Sequence, residues 1–265
     1  MALSLLFDGR FDDYVSAVRE DARLWLFVHV PKTAGSSLGG ELAALQPPYC
    51  NIHIDHLDRS KPGPERFDAA VDRFLVEARQ REFHSASGHI LNRHMEQINQ
   101  ALPGVRPLTM LRAPLSRLVS DYRYQRSPMH PLHEEVAKRT PDLESFLHLP
   151  GQRNRTARHL APADLVRREK VPECVDYVLE RFAFVGLQEQ YDLSFRALTT
   201  LISGRARSPE QKKRVNEDGE KVDVTPDLAG LAARLNPIDF AIYDALTARF
   251  AAIEAPLADW LSDKN

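Results

Sequence analysis

The sequence predicts an α/β fold in which a mainly parallel central sheet is flanked by helices. Three observations carry this. Leu24 to Val30 is an almost wholly apolar run of seven residues, short enough for a strand buried on both faces. It stops at Pro31, and Leu38, Leu42 and Leu45 then recur at helical spacing. The same order of strand, turn and helix returns between Arg106 and Tyr122, and further helical stripes separate these units from other short strand-like runs.

A chain of 265 residues suits one large α/β domain or two small ones. Motif spacing favours a single domain over 1–265, with a core at about 22–202 and a helical C-terminal part at about 225–265. The 35 basic residues nearly balance the 37 acidic ones, which argues against a dedicated nucleic-acid binder or a disordered tail. Any anion site is therefore local. Cys50 and Cys174 are too few for a disulfide framework or a zinc ribbon, so the expectation is a reducing cytoplasm. No run has the length of a membrane span, and Met1 to Asp8 lacks the basic and apolar regions of a leader. A soluble, cytoplasmic protein is expected.

Phe11, Tyr14, Val15 and Val18 mark a short amphipathic helix before the first strand. After that strand the loop Pro31-Lys32-Thr33-Ala34-Gly35-Ser36-Ser37 opens a helix, whose unpaired N–H groups and dipole favour an anion, with Lys32 adding a full charge. The nucleoside-triphosphate P-loop needs Gly, four residues, Gly, Lys, then Ser or Thr. Lys32 instead precedes the only glycine here, so the loop suits a phosphate-like group without that wrapping of a triphosphate.

Gln46-Pro47-Pro48 breaks the first long helix, and His53 and His56 follow as loop histidines suited to a substrate mouth. They have no clear third partner for a metal, and no metal is expected. Phe67, Ala70, Val71, Phe74, Leu75 and Ala78 form a helical core stripe. A second strand is expected over Phe83 to Ile90, with His89 just past its carboxyl end, where open parallel sheets bind ligands. A helix from about Arg93 to Leu102 leads to the third strand, Arg106 to Leu111.

Beyond it, Pro114 suits a first helical turn, and Leu115, Leu118, Val119 and Tyr122 should face inward. Arg112 and Ser120 can reach one anion, the arginine by its fork of donors and the serine by its hydroxyl. Two anion sites imply a ligand with two phosphate-like ends.

Val30-Pro31-Lys32-Thr33-Ala34-Gly35-Ser36-Ser37 resembles the 5′-phosphosulfate loop of sulfotransferases. Leu111 to Ser120 resembles their 3′-phosphate segment, and Phe182 to Glu189 a later strand and turn. The resemblance is closest to the branch holding heparan sulfate 2-O-sulfotransferases and many bacterial members. It implies a three-layer P-loop-like fold and the donor 3′-phosphoadenosine 5′-phosphosulfate (PAPS), which leaves as 3′-phosphoadenosine 5′-phosphate (PAP). Lys32, Thr33, Ala34, Gly35, Ser36 and Ser37 would meet the sulfate end, and Arg112 and Ser120 the 3′-phosphate. Lys32 would also assist transfer. In that branch a His-Gly-His stretch supplies the base; His89 matches its second histidine, and Ser87 stands in place of the first. The acceptor implied is a hydroxyl of a glycan or glycoconjugate.

Arg153, Arg155 and Arg158 lie close together and could meet an anionic acceptor or form a solvated helix face. Together with His53, His56 and Asn154, Arg155 and Arg158 are the candidate acceptor residues. A fourth strand is expected near Phe182, and Phe195, Leu198, Leu201 and Ile202 continue as helix. Ser203 to Val224 reads as a loop that could close over the nucleotide. Thr225-Pro226 and Asn236-Pro237 read as helix starts, the second burying Phe240, Tyr243, Leu246 and Phe250. An ATP-dependent phosphotransferase and a non-catalytic nucleotide-binding protein are the alternatives.

Overall fold

The computed structural model describes residues 2–33, 35–54, 62–209 and 222–264. Among them, β1 (Leu24–Val28), β2 (Tyr49–Ile52), β3 (Ser85–Gly88), β4 (Val105–Leu111) and β5 (Phe184–Leu187) form a parallel sheet in the order β2-β3-β1-β4-β5. The first helices are α1 (Ala2–Phe7), α2 (Phe11–Arg19), α3 (Gly35–Leu45), α4 (Gly63–Gln80), α5 (Asn92–Ala101) and α6 (Pro114–Arg126). Then follow α7 (His133–Arg139), α8 (Leu143–Leu147), α9 (Arg155–Leu160), α10 (Ala163–Arg167), α11 (Val171–Arg181), α12 (Tyr191–Ser203), α13 (Pro226–Leu235) and α14 (Pro237–Ser262). The helices flank this parallel sheet. No described helix is long and apolar enough to cross a membrane.

All five residues of β1 are buried, as its apolar run requires at the centre of a covered sheet. β3 is unusual in reading Ser-Ala-Ser-Gly. Its hydroxyls are satisfied laterally: Ser85 Oγ donates to the Gln46 carbonyl at 2.7 Å, and Ser87 Oγ shares a hydrogen bond with Tyr49 at 2.6 Å. Gly88 is demanded by its neighbour, since a Cβ there would stand 2.3 Å from the Ile52 carbonyl oxygen. Small side chains thus let β2 lie close against β3.

A smaller apolar cluster, with Leu118, Tyr122, Phe146, Leu147 and Ala232, joins α6 to α8 and α13. α6 is consequently held on that side while its other residues line the site.

Several expectations need correction. β2 was not expected; it is a short edge strand that sequence reading left as a histidine-bearing loop, so Ser85–Gly88 is the third strand and not the second. α1 was not expected either. Within α6, Leu115 and Val119 are only half-buried, and Arg117 and Asp121 are buried. In α14 the buried stripe is Ile238, Ile242, Leu246, Phe250, Ile253, Leu257 and Leu261, with Phe240 and Tyr243 half-buried. Thr225 caps α13 by accepting from the Leu228 N–H at 3.3 Å. Asn236 does not cap α14 with its side chain, which instead accepts from the Asn154 N–H at 2.8 Å. Most of the expected 203–224 loop, residues 210–221, lies outside the described residues.

Candidate functional site

Parallel pairing brings the carboxyl ends of β1, β3 and β4 to one edge of the sheet, with Val28 opposite Gly88 and Phe27 opposite Leu108. The chain leaves β1 toward β2, whereas it leaves β4 toward β5. The crevice between β1 and β4 is therefore a topological switch point, where open α/β sheets bind ligands. Lys32 follows β1 and Arg112 follows β4. Both line a cavity of about 1830 Å³ together with Ser37, His89, Ser116, Ser120 and Arg123.

The Lys32 loop is held by several local bonds. Thr33 is buried, and its Oγ1 donates back to the Val30 carbonyl at 2.8 Å. Thr109 of β4 donates to the Val28 carbonyl at 2.9 Å. Arg112 Nη1 donates to the Lys32 carbonyl at 3.4 Å, tying one loop to the other. Glu189 accepts from the Ala113 N–H at 3.0 Å and fixes the turn into α6. Lys32 itself has φ 72°, a left-handed conformation that side chains rarely adopt and that surrounding contacts must hold.

The Lys32 ammonium lies 4.1 Å from the ring centroid of Tyr124 on α6, an attraction between a cation and the ring's negative face. Burial pushes the Lys32 pKa down, Asp121 opposes that shift and Arg112 reinforces it. Arg112 shifts down for the same first reason, with Glu189 opposing. Two partly desolvated cations at one crevice favour an anionic ligand that would restore their charge balance.

A cluster of imidazoles forms the neighbouring wall. His89 follows β3 and His29 follows β1, so they stand side by side, their rings stacked at 4.0 Å. His89 Nδ1 lies 2.8 Å from the His29 carbonyl oxygen. A carbonyl only accepts, so Nδ1 carries the hydrogen and a neutral ring presents its lone pair at Nε2. His159 on α9 likewise donates from Nδ1 to the Ile90 carbonyl at 2.8 Å. Burial pushes its pKa down to about 3. His29 is also driven well down, first by burial and then by His89, His159 and Lys32. His29 and His159 are thus neutral near pH 7.

Of the expected nucleotide residues, Lys32, Ser37, Arg112 and Ser120 come together on the cavity, while Thr33 turns inward. Gly35 and Ser36 open α3. Ala34 and His56 lie outside the described residues. Among the expected acceptor residues, Arg155 and Arg158 line the cavity. His53 is exposed beyond β2, bonded to the Asn51 carbonyl at 3.2 Å, and is absent from the cavity lining. Asn154 is also absent from it. This residue has φ 44° and accepts with Oδ1 from the Ile238 N–H at 3.0 Å, so it is engaged in starting α14. Arg153 is exposed.

Sequence reasoning missed His29, Tyr124, Asp121 and His159. The spacing of His29 before Lys32 was visible, but its stacking on His89 depends on strand order. Asp121 and Tyr124 follow Ser120 on α6, one and four positions on, a signal that needed the helix orientation to be read.

No family model matches the sequence, and no curated protein matches it. Solved structures similar to it include a mouse sulfotransferase, SULT7A1, complexed with PAP, at 15% identity and a TM-score of 0.39 over 82% of this chain. The chain spans 63% of that protein. Another is a sulfotransferase from Alicyclobacillus acidocaldarius, at 19% identity and a TM-score of 0.48, over 85% of this chain and 96% of the other. Neither likeness reaches 25% identity or a TM-score of 0.5, and neither carries a function to this chain.

Proposed function

We propose that the protein is a PAPS-dependent sulfotransferase that moves a sulfuryl group to an acceptor hydroxyl, on a glycan or glycoconjugate. The observation that carries this reading is the convergence of the Lys32 loop, the Arg112–Ser120 segment and His89 on one cavity at the switch point of a parallel sheet. The residues fit a nucleotide with two anionic ends. Lys32 and Ser37 answer one end, and the planar fork of Arg112 with the Ser120 hydroxyl answers the other. The acceptor class rests on the motif resemblance.

PAPS, when bound, supplies the SO3 group and a phosphate leaving group. Lys32 and the N–H groups at the start of α3 stabilise the negative charge that grows on transfer. Phosphoryl transfer is the analogy, in which positioning and charge stabilisation do most of the work. His89 takes the acceptor proton at Nε2, its Nδ1–H remaining on the His29 carbonyl. Imidazole has a reference pKa of about 6.5, suited to a base at neutral pH.

Thermal unfolding with PAP, ADP, ATP and adenosine 5′-phosphosulfate at equal concentrations tests the reading. At 100 times its dissociation constant a ligand of the native state adds about 2.7 kcal/mol. A selective shift with PAP that is lost in Arg112→Ala is expected. His89→Ala should keep that shift and lower turnover by about 10²-fold or more. A shift with ATP and none with PAP would replace the sulfotransferase reading by a phosphotransferase one.

A further inference from the structure

Asn92 opens α5 three residues after His89 and lines the same cavity, yet it is only 5% exposed. Its amide nitrogen makes two bonds. One hydrogen goes to the Leu160 carbonyl at 3.1 Å and the other to the Tyr177 hydroxyl at 2.9 Å. A carbonyl only accepts, so the amide cannot be turned over without placing two acceptors face to face.

The groups behind it fix the direction of every hydrogen. Arg181 donates from Nε and Nη2 to the two oxygens of Glu96, at 2.6 and 3.0 Å, and Tyr177 donates to Glu96 Oε1 at 2.5 Å. Burial opposes ionisation of Glu96, but the bonds from Arg181 and Tyr177 hold its pKa below the ordinary value, so this carboxylate only accepts. Burial pushes the Tyr177 pKa up to about 12, and its single hydrogen is spent on Glu96. The Tyr177 oxygen must therefore accept from Asn92.

Both hydrogens of the Asn92 amide are thus committed, and Oδ1 is left. It has no partner among the described residues, and it is open to the cavity that Asn92 lines. The end of α9 closes this corner, since His159 donates to the Ile90 carbonyl while Leu160 accepts from Asn92. A fixed, neutral oxygen on the His89 side of the cavity calls for a hydrogen-bond donor. Among the described residues eight lysine and arginine side chains line the cavity against one carboxylate, Asp121, which accepts from Arg155 Nη1 at 2.5 Å. Such a lining repels an ammonium group, so the donor that suits it is a neutral hydroxyl.

We propose that Asn92 Oδ1 accepts from a second hydroxyl of the acceptor, next to the one whose proton His89 takes, so that the substrate is a polyol with adjacent hydroxyls, as on a sugar ring. Tyr177 is then a positioning residue that acts through the Asn92 amide. This rests on the sulfuryl-transfer reading, in which His89 is the base.

Calorimetric titration at saturating PAP tests it, using 4-nitrophenyl β-D-glucoside and its four monodeoxy derivatives. In the natural chain the loss of either of two neighbouring hydroxyls, one bonded to His89 and one to Asn92, should weaken binding about threefold to tenfold, the worth of one hydrogen bond. Asn92→Ala should erase one of these two penalties, keep the other and leave PAP affinity in place. Tyr177→Phe, milder on the fold, removes one of the two bonds that hold the amide and should reduce the same penalty about twofold or more. A purely structural Asn92 would instead weaken all five glycosides by one factor and leave both penalties as they were, which would overturn the proposal. Penalties unchanged in Tyr177→Phe, or binding of none of the five, would overturn it too. Failure of PAP to bind would sink the sulfuryl-transfer reading separately, and the glycoside titration repeated without nucleotide would still decide the role of Asn92.

Discussion

Acid should unfold this protein from the imidazole wall outward, and His159 allows the effect to be worked out. The ring is 6% exposed, and burial holds its pKa at about 3 in the folded state, against about 6.5 in the unfolded chain. Between those values the unfolded state binds the proton and the folded state does not. Stability from this group is therefore complete above about pH 6.5 and is lost as pH falls toward 3. Each pKa unit is about 1.4 kcal/mol, so the loss is about 2–3 kcal/mol at pH 4.5 and approaches about 5 kcal/mol in full. His29 adds a contribution of the same sign.

The assay is urea unfolding at intervals from pH 7.5 to 4.5, on the natural chain and on His159→Asn, which keeps a donor for the Ile90 carbonyl. Carboxylates titrate in both proteins, so the informative quantity is the difference between them. The natural chain should lose stability more steeply, by about 1 kcal/mol per pH unit near pH 5.5. Parallel pH profiles for the two proteins between pH 7 and 5 would refute the burial argument for His159.

Two further outcomes follow from the packing. Asp239→Ala strands the Thr156 and Ala157 N–H groups and removes a carboxylate facing buried Arg117; breaking such an arrangement should cost about 3–5 kcal/mol, measured as a lower urea midpoint with unchanged slope, and a loss under about 1 kcal/mol would show that Arg117 is neutralised elsewhere. Gly88→Ala places a Cβ 2.3 Å from the Ile52 carbonyl oxygen, so β2 or the His89 peptide must shift. A loss of about 1–3 kcal/mol is expected, with reduced turnover, and a variant of normal stability would mean that β2 is not packed as described.

The sequence carried the central part of the fold well because its signals are local. A fully apolar strand, a proline, and a helix-period stripe are each legible without knowing what lies beside them, and this was enough for β1, β4, β5, α4 and α12. β2 escaped because a four-residue edge strand has one face and few apolar residues. β3 was found, but with ends too generous, since its serines and glycine serve neighbours in space. In the site, Lys32, Arg112 and Ser120 were legible as cations and a hydroxyl beside strand ends. His29 and Asp121 were not, because the role of each is set by a partner 60 and 34 positions away, respectively. Asn154 shows the converse error: a polar residue among arginines looked like a ligand contact, whereas its conformation and bonds serve the start of α14.

The interlock between α9 and α14 also bears on the order in which the molecule can be made. Asn154 and Asn236 bond each other's segments across 82 and 84 positions, and Asp239 reaches back 83 to Thr156. All five described strands have emerged from the ribosome once Leu187 has emerged, and chains fold from the N-terminus as they are synthesised. The crevice between β1 and β4 can therefore be in place while the wall bearing Arg155, Arg158 and His159 still lacks the residues that fix it. That wall is set only when 236–239 emerge, so a translational pause between Leu187 and Asn236 would hold a nascent chain whose two anion loops are built and whose opposite wall is not.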